Sequence, residues 1–124
     1  MSRRTTTSGS STWARVEKLG LALPGVEPGT AYGSPALKLH GQLLACIPTN
    51  KAAEPDSLVV RIDFRDRDEL LAAEPDVYYL KEHYVDYACV LVRLPRIAPD
   101  TLRDLLLMSW KFVNSTAKTK RKRR

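Results

Sequence analysis

The sequence predicts an α+β fold, in which a mostly antiparallel β-sheet is flanked by an N-terminal and a C-terminal helix. Two observations support this prediction. Short apolar runs such as 58–63 and 89–94 are separated by brief polar stretches, which is typical of strands joined by short turns. Near both ends of the chain, apolar residues instead recur at helical spacing, which indicates helices that cover one face of the sheet.

Length and composition fit one globular domain. The chain has 124 residues, of which 44% are hydrophobic and 27% charged, so it can form a single core without a disulfide or a metal. No run of about 18 apolar residues indicates a membrane span, and the N-terminal segment lacks the apolar stretch of a secretory signal. We therefore expect a cytoplasmic protein without a membrane segment, and we expect a monomer.

The first half of the chain predicts one helix and three strands. Ser11 or Thr12 is placed to cap a helix that runs to about Leu23, where a Leu-Pro-Gly sequence ends it. Three short apolar runs around Gly29, Gly33 and Gly41 then predict three brief strands, with a tight hairpin at Gly41. The stretch 51–57 is polar and predicts a loop.

The second half predicts three more strands and two helices. The elements are, in order, a strand at 58–63, a short helix around 66–73 that stops at Pro75, strands at 77–81 and 89–94, and a helix that opens at Pro99 and Asp100 and ends at Asn114.

Side chains alternate between the two faces of a strand, and this alternation divides the charges from the apolar residues. Lys38, Arg61 and Arg93 each fall on the face opposite the stronger apolar set of their strand. If the helices cover that apolar set, the three basic residues share the open face and can meet phosphates. Alternatively, they pair with carboxylates such as Glu54 or Asp63 on a solvated surface, where each pair contributes only about 0–1 kcal/mol.

The net charge of +6 is unevenly distributed. Residues 118–124 contain six basic residues and residues 1–4 contain two, so the stretch 5–117 keeps 12 basic and 14 acidic residues, a balance of −2. Residues 1–10 and 114–124 are polar and predicted to be disordered tails around a domain at 11–113. A basic cluster such as KTKRKRR indicates nucleic-acid binding, an acidic partner or simple solubility.

Neither cysteine is typical of a catalytic or metal-binding residue. Cys46 and Cys89 lie inside apolar runs, which indicates small buried side chains with free thiols. A disulfide between two strands stays open as an alternative. The two histidines, His40 and His83, show no metal-ligand spacing relative to the cysteines, so we expect neither metal nor cofactor.

His83 lies in the one polar cluster that resembles acid–base chemistry, beside Glu82, Tyr84 and Asp86. No nucleophile motif, phosphate-binding glycine loop or carboxylate pair accompanies it, so we predict that the protein is not an enzyme. Arg65 and Arg67 interrupt a second cluster of acidic residues at 63–69, which favours ion pairing on a helix surface over metal binding.

Several stretches together resemble the MmcQ/YjbR family. They are LALPGVE at 21–27, YGSP at 32–35 with LKL at 37–39, LVVRID at 58–63, LLAAEP at 70–75, YLK at 79–81 with His83 and Tyr84, and VLVRL at 90–94. The resemblance covers about residues 12–113. The family usually has a Trp just before the Val-Leu-Val-Arg strand, where this chain has Ala88 and Cys89.

The resemblance implies a frataxin-like (CyaY-like) fold and the DNA-binding "double-wing" description that the family carries. It does not imply iron binding, because the predicted first helix holds only one acidic residue, Glu17. We therefore predict a non-enzymatic DNA-binding protein, with a protein- or small-ligand-binding module as the alternative. The predicted nucleic-acid-binding residues are Lys38, Arg61, Lys81, His83, Arg93, Lys118, Lys120, Arg121, Lys122, Arg123 and Arg124.

Overall fold

The structure, a computed structural model, describes the backbone of residues 12–122 and the side chains of residues 12–116. Three α-helices and six strands follow one another as α1 (Trp13–Leu21), β1 (Val26–Ala31), β2 (Ser34–Leu39), β3 (Gln42–Cys46), β4 (Ser57–Arg61), α2 (Phe64–Ala73), β5 (Tyr78–Tyr79), β6 (Cys89–Arg93) and α3 (Pro99–Lys122). Two short 3-10 helices, Glu82–Tyr84 and Leu94–Arg96, flank β6.

The six strands form one antiparallel sheet in the order β1-β2-β3-β4-β6-β5. The predicted α+β class is therefore confirmed, with the terminal helices α1 and α3 packed on one face. The first and the last residue pairs between β4 and β6 define the two ends of the sheet. Ser57 is opposite Arg93 at one end, and Arg61 is opposite Cys89 at the other.

The main core lies between the sheet and the helices, as the strand alternation predicts. Leu37, Leu58, Val60 and Val92 point into it and are fully buried, and Leu102, Leu105, Leu106 and Val113 meet them from α3. At roughly 1.5–3 kcal/mol for each large apolar side chain, this layer is the principal source of stability. Residues Lys38, Arg61 and Arg93 lie on the opposite face.

The helix α1 begins at its predicted cap, since the Thr12 hydroxyl accepts a hydrogen bond from the Arg15 N–H. It ends at Leu21, two residues before the predicted position. Gly20 on its buried side lies against Leu37, and a Cβ there would meet the Leu37 side chain at 2.3 Å. The glycine thus lets α1 approach the sheet closely.

Two hairpins of the first three strands turn in the same way. In each, two consecutive residues have positive φ: Tyr32 and Gly33 between β1 and β2, and His40 and Gly41 between β2 and β3. Such turns match the twist of the flanking strands, and the second is the hairpin predicted at Gly41. A bulky residue in the first of the two positions is uncommon, because a left-handed conformation strains a side chain with a Cβ.

The helix α3 crosses the sheet from the Arg93 end to the His40 end. It follows β6 at Pro99, and near its other end Asn114 Oδ1 accepts a hydrogen bond from His40 Nε2 at 3.0 Å. The helix then continues to Lys122, whereas the sequence pattern predicts that it ends at Asn114. The difference has a simple cause: residues 115–122 contain neither Gly nor Pro, and Lys, Arg and Ala favour helix.

The edges of the sheet are short or interrupted. The strand β1 carries Pro28 and Gly29 in its middle, and β5 has only two residues.

The predicted disorder of residues 1–10 and of the last two residues concerns parts of the chain outside those described. Within residues 12–122, no helix has an apolar stretch long enough to cross a membrane.

Candidate ligand cleft on the open sheet face

The face of the sheet that the helices leave uncovered carries a second, smaller apolar cluster. Its buried members are Ala36, Cys46, Val59, Tyr79, Cys89 and Leu91. Above part of this cluster the chain leaves a cleft of about 750 Å³, between the segment 47–50 on one side and the segment 83–88 on the other. This volume is within the range of small-molecule sites.

The floor of the cleft is apolar and its thiols are uncharged. Cys46 and Cys89 are both free and buried. Burial raises the pKa of Cys46 to about 11 and also raises the pKa of Cys89. Because β4 lies between their strands and they pair with positions two residues apart on it, the two Cα atoms are separated by more than two strand spacings, that is by more than about 9.5 Å, too far for a disulfide.

Tyrosines form much of the rim. Tyr32, at the tip of the first hairpin, has 89% of its surface exposed, and Tyr87 has 62% exposed. Tyr84 is half-buried, and its ring meets that of His83 edge-on with the centroids 4.9 Å apart. His83 lines the cleft with them. No ion pair between His83 and a carboxylate is formed among the described side chains.

A buried arginine holds one wall of the cleft in place. Arg67 of α2, only 8% exposed, donates from Nη1 to the carbonyl oxygens of Val85 and Tyr87, both at 3.0 Å. Its guanidinium also packs on the Phe64 ring at 4.7 Å. Arg67 also forms an ion pair within the predicted cluster, since its Nε lies 3.7 Å from Asp68 Oδ1, but its hydrogen bonds go to the loop and not to a carboxylate.

Arg61 is the basic residue that the sheet directs to the cleft. It lines the cleft from the end of β4, is half-buried, and its guanidinium carbon lies 5.4 Å from the centroid of the Phe112 ring in α3. No ion pair with a carboxylate is formed by Arg61 among the described side chains. Its charge is thus available at the junction of the cleft and α3.

Lys38 and Lys81 lie outside the cleft. Lys38 points to the open face in β2, where its side chain packs beside Gly29 and its strand partner in β1 is Glu27. Lys81 places its amino group 5.8 Å from the centroid of the Tyr79 ring. Of the predicted residues whose side chains are described, the structure therefore brings only Arg61 and His83 together at one site.

Arg93 is occupied at the other end of the sheet. It forms a bidentate ion pair with Glu54, with both N···O distances 2.9 Å, and Nη1 donates to the carbonyl oxygens of Pro75 and Asp76. Its guanidinium also lies 4.4 Å from the centroid of the Tyr79 ring. The hydrogen bonds to Arg93 lower the pKa of Glu54, and this ion pair is the alternative that the sequence analysis gives for Arg93.

The predicted basic residues of the tail follow the part of the chain whose side chains are described. Lys118, Lys120, Arg121, Lys122, Arg123 and Arg124 have side chains outside that part. The backbone of residues 118–122 belongs to α3, which passes the His40 end of the sheet at Asn114. Arg61 contacts α3 at this same end.

Carboxylates are absent from the cleft, and no metal site is formed by the described residues. The side chains that line the cleft include one Arg, one His, one Asn and three Tyr, with no Asp or Glu among those described. A second cleft, of about 530 Å³ near Trp13 and Pro55, carries Glu54 and Asp56. No group of three His, Cys, Asp or Glu within the described part of the chain is placed to hold a metal ion.

Sequence reasoning did not find Tyr32, Tyr87 or Arg67 as site residues. Tyr32 and Gly33 form the turn between β1 and β2, and the Tyr32 ring is exposed at its tip. A Tyr where such a turn favours Asn or Gly is the signal that points to Tyr32. Ala88 and Cys89, which replace the aromatic residue usual in the resembled family, line the cleft and leave space there.

These features define an α+β domain with a cleft on the uncovered face of an antiparallel sheet. The model of the YjbR family matches residues 21–112, which is most of the chain. The protein belongs to the YjbR family, and the resemblance seen in its sequence is confirmed. No curated protein has a significantly similar sequence.

A crystal structure of the Deinococcus radiodurans protein DR2400, described as a DUF419 domain, is similar in fold. The two share 20% sequence identity, with a TM-score of 0.71 over 94% of this chain and 90% of that one. At this identity the likeness supports the fold, with its six-stranded sheet and terminal helices, and not a shared ligand.

Proposed function

We propose that this protein is a non-enzymatic nucleic-acid-binding protein, which holds its ligand on the open face of the sheet and attracts it with the basic residues at the end of α3. One observation carries the proposal. Arg61 lines a cleft free of described carboxylates and also contacts α3, and the sequence from Lys118 to Arg124, which begins within this helix, contains six basic residues. Attraction and binding are thus directed to one region.

The chemistry of the cleft supports a nucleic acid. Tyrosine rings offer surfaces on which bases stack, and an unpaired Arg offers a charge for a phosphate. The domain at 5–117 has a balance of −2, so long-range attraction of a polyanion depends on the segment 118–124. Both thiols in the cleft are held protonated, which is the opposite of what a nucleophilic cysteine requires and supports a binding role over a catalytic one.

The test is the salt dependence of binding of the full chain to a labelled DNA. If the six basic residues of 118–124 neutralise about six phosphates, the slope of log K against log salt approaches −5, and affinity falls roughly a thousandfold between 50 and 200 mM salt. A full-length variant with all six replaced by Gln keeps the helix propensity of the segment. We expect its slope to fall nearly to zero.

Two single substitutions test whether the position of a charge matters for binding or only the net charge of the protein. Arg61→Gln removes one positive charge at the cleft, and Arg103→Gln removes one from an exposed position of α3. We expect Arg61→Gln to weaken binding and Arg103→Gln to leave it nearly unchanged. An unchanged slope in the Gln-substituted variant, or equal effects of the two single substitutions, would contradict the proposal.

The second candidate is a small-ligand-binding module. The apolar floor of the cleft, with Cys46, Val59 and Cys89, favours it, because small-molecule sites are mostly apolar with few polar groups. This candidate predicts that ligand affinity is nearly independent of salt and of the basic segment. The salt titration therefore distinguishes the two functions.

A further inference from the structure

We infer that the cleft binds unpaired nucleobases, so that the protein prefers single-stranded nucleic acid to a duplex. The inference rests on the proposed function and adds the class of nucleic acid to it. Two features carry it: the concave shape of the site, and the placement of its two most exposed aromatic rings.

Shape argues against a duplex in this site. A duplex is read by elements that protrude into its grooves, such as a helix or a two-stranded ribbon. Here the site is a cleft between two loops, with a floor of the buried side chains Cys46, Val59 and Cys89. A cleft of this kind admits a base that has left its stack, because an unpaired base presents both its faces and its edges.

The two tyrosines are placed to hold different bases. Tyr32 precedes β2 at the end of the sheet where Ser57 pairs with Arg93, whereas Tyr87 precedes β6 at the end where Arg61 pairs with Cys89. These levels differ by four residues along β4, which is about 13 Å. A strand that crosses the face therefore passes two separate stacking surfaces.

The backbone of Tyr32 supports a role in binding. Its φ of 52° is left-handed, a conformation that strains a residue with a Cβ. His40 has the same conformation but is held by its hydrogen bond to Asn114. The Tyr32 side chain has no hydrogen bond or ring contact with a described residue, so no such contact within the domain compensates for the strained backbone. Strained residues of this type concentrate at binding sites.

Polar groups on the walls complete a site for a nucleotide. Arg61 supplies a cation at one end of the cleft. Asn50 lines the other side, and its Oδ1 accepts a hydrogen bond from the Ala52 N–H at 2.7 Å. This bond leaves the amide nitrogen of Asn50 as a donor for the acceptor atoms of a base edge.

The experiment compares three probes by fluorescence anisotropy or competition at one salt concentration: a single strand of about 12 nucleotides, its duplex, and a free mononucleotide. The full chain is expected to bind the single strand most tightly. Tyr32→Ala and Tyr87→Ala are each expected to lower single-strand affinity about 5- to 150-fold, as loss of one stacked base does. Tyr32→Phe and Tyr87→Phe keep the ring and should retain affinity, and Leu107→Ala on α3 is the control outside the cleft.

The outcomes separate the inference from the function on which it rests. If the duplex binds as tightly as the single strand and both Tyr→Ala variants bind like the parent, the inference is overturned while nucleic-acid binding stands. If neither strand nor duplex binds, the proposed function and the inference fail together. Tight binding of the mononucleotide alone would also overturn the inference, because it places a free nucleotide in the cleft.

Discussion

The guanidinium group of Arg93 uses four of its five N–H donors within the domain. Two go to Glu54 and two to the carbonyl oxygens of Pro75 and Asp76, and the group lies on the Tyr79 ring. The Tyr79 hydroxyl in turn meets Ser57 and the Glu54 N–H. Arg93 thus joins β6 to the loops before β4 and β5, and its role follows from its contacts more than from its charge.

We predict that Arg93→Gln lowers the free energy of unfolding by about 1–3 kcal/mol, because it breaks charged hydrogen bonds in a partly buried network. Nucleic-acid affinity should change little, since these donors already have partners. Chemical denaturation and DNA binding measure the two effects, with Arg96→Gln, an exposed neighbour on the same segment, as the control. A variant as stable as the parent that loses DNA affinity would refute this assignment.

Cys46 makes stability sensitive to alkaline pH. Its pKa is raised by burial from 9.0 to about 11, so the folded state holds a proton that the unfolded state releases. The stabilisation from this group is complete below pH 9 and is lost as pH rises towards 11. It amounts to something on the order of 2 kcal/mol, and the raised pKa of Cys89 acts in the same direction.

We therefore predict a fall in the free energy of unfolding between pH 9 and 11, and a smaller fall in Cys46→Ala. Thiol titration gives an independent reading. The native protein should react slowly at neutral pH, and denaturation should release two thiols. A native thiol that reacts quickly would show that the floor of the cleft is open to charged reagents.

Among the elements, the hairpin between β1 and β2 links stability to binding most directly. The turn needs two residues with positive φ, and Gly33 meets the need better than Tyr32 does. Asn adopts the left-handed conformation more readily than Tyr. For the stability of the turn alone, Asn would therefore be more favourable than Tyr at position 32.

We predict that Tyr32→Asn raises the free energy of unfolding, by up to about 1 kcal/mol, while it weakens single-strand binding. Thermal denaturation and anisotropy measure the two changes on the same sample. Tyr87→Asn is the comparison, because Tyr87 is exposed without a positive φ and should lose binding without a gain in stability. If Tyr32→Asn is less stable than the parent, the turn does not strain the tyrosine.

The end of α3 is the element whose stability depends most on its surroundings. Residues 118–124 place six like charges at spacings of one to six residues, and like charges three or four apart weaken a helix by about 0.2–0.5 kcal/mol per pair. Salt screens this repulsion. We predict that backbone chemical shifts of 115–122 become more helical between low and high salt, while those of α1 do not change. Shifts that are independent of salt would contradict this account.

At the scale of the whole molecule, the spacing of apolar residues along the sequence is sufficient to predict the fold class and the buried face of the sheet. Alternation at Val60 and Arg61 places one residue in the core and the other on the open face, and of the two predicted caps, Ser11 and Thr12, the structure uses Thr12. The site was less accessible to such reasoning. Arg67 of α2 contacts the loop at 85–87, and a contact between two elements that are distant in sequence cannot be predicted from a local pattern.

The same limit applies to the cleft. It forms because the first hairpin, the segment 47–50 and the segment 83–88 meet over strands that are distant in sequence. Arg61 and Arg93 look alike in the sequence, each at the end of an apolar strand. Only the approach of Glu54 to one of them distinguishes a structural arginine from one available to a ligand.

The interrupted edges of the sheet bear on self-association and aggregation. Pro28 has no N–H, and a proline in an edge strand turns that missing donor outward, so another chain cannot pair fully along β1. At the other edge, β5 offers only two residues for pairing. The sheet is therefore a poor template for polymerisation from either side. Interrupted edges of this kind reduce strand pairing between copies of the chain while one whole face of the sheet stays uncovered.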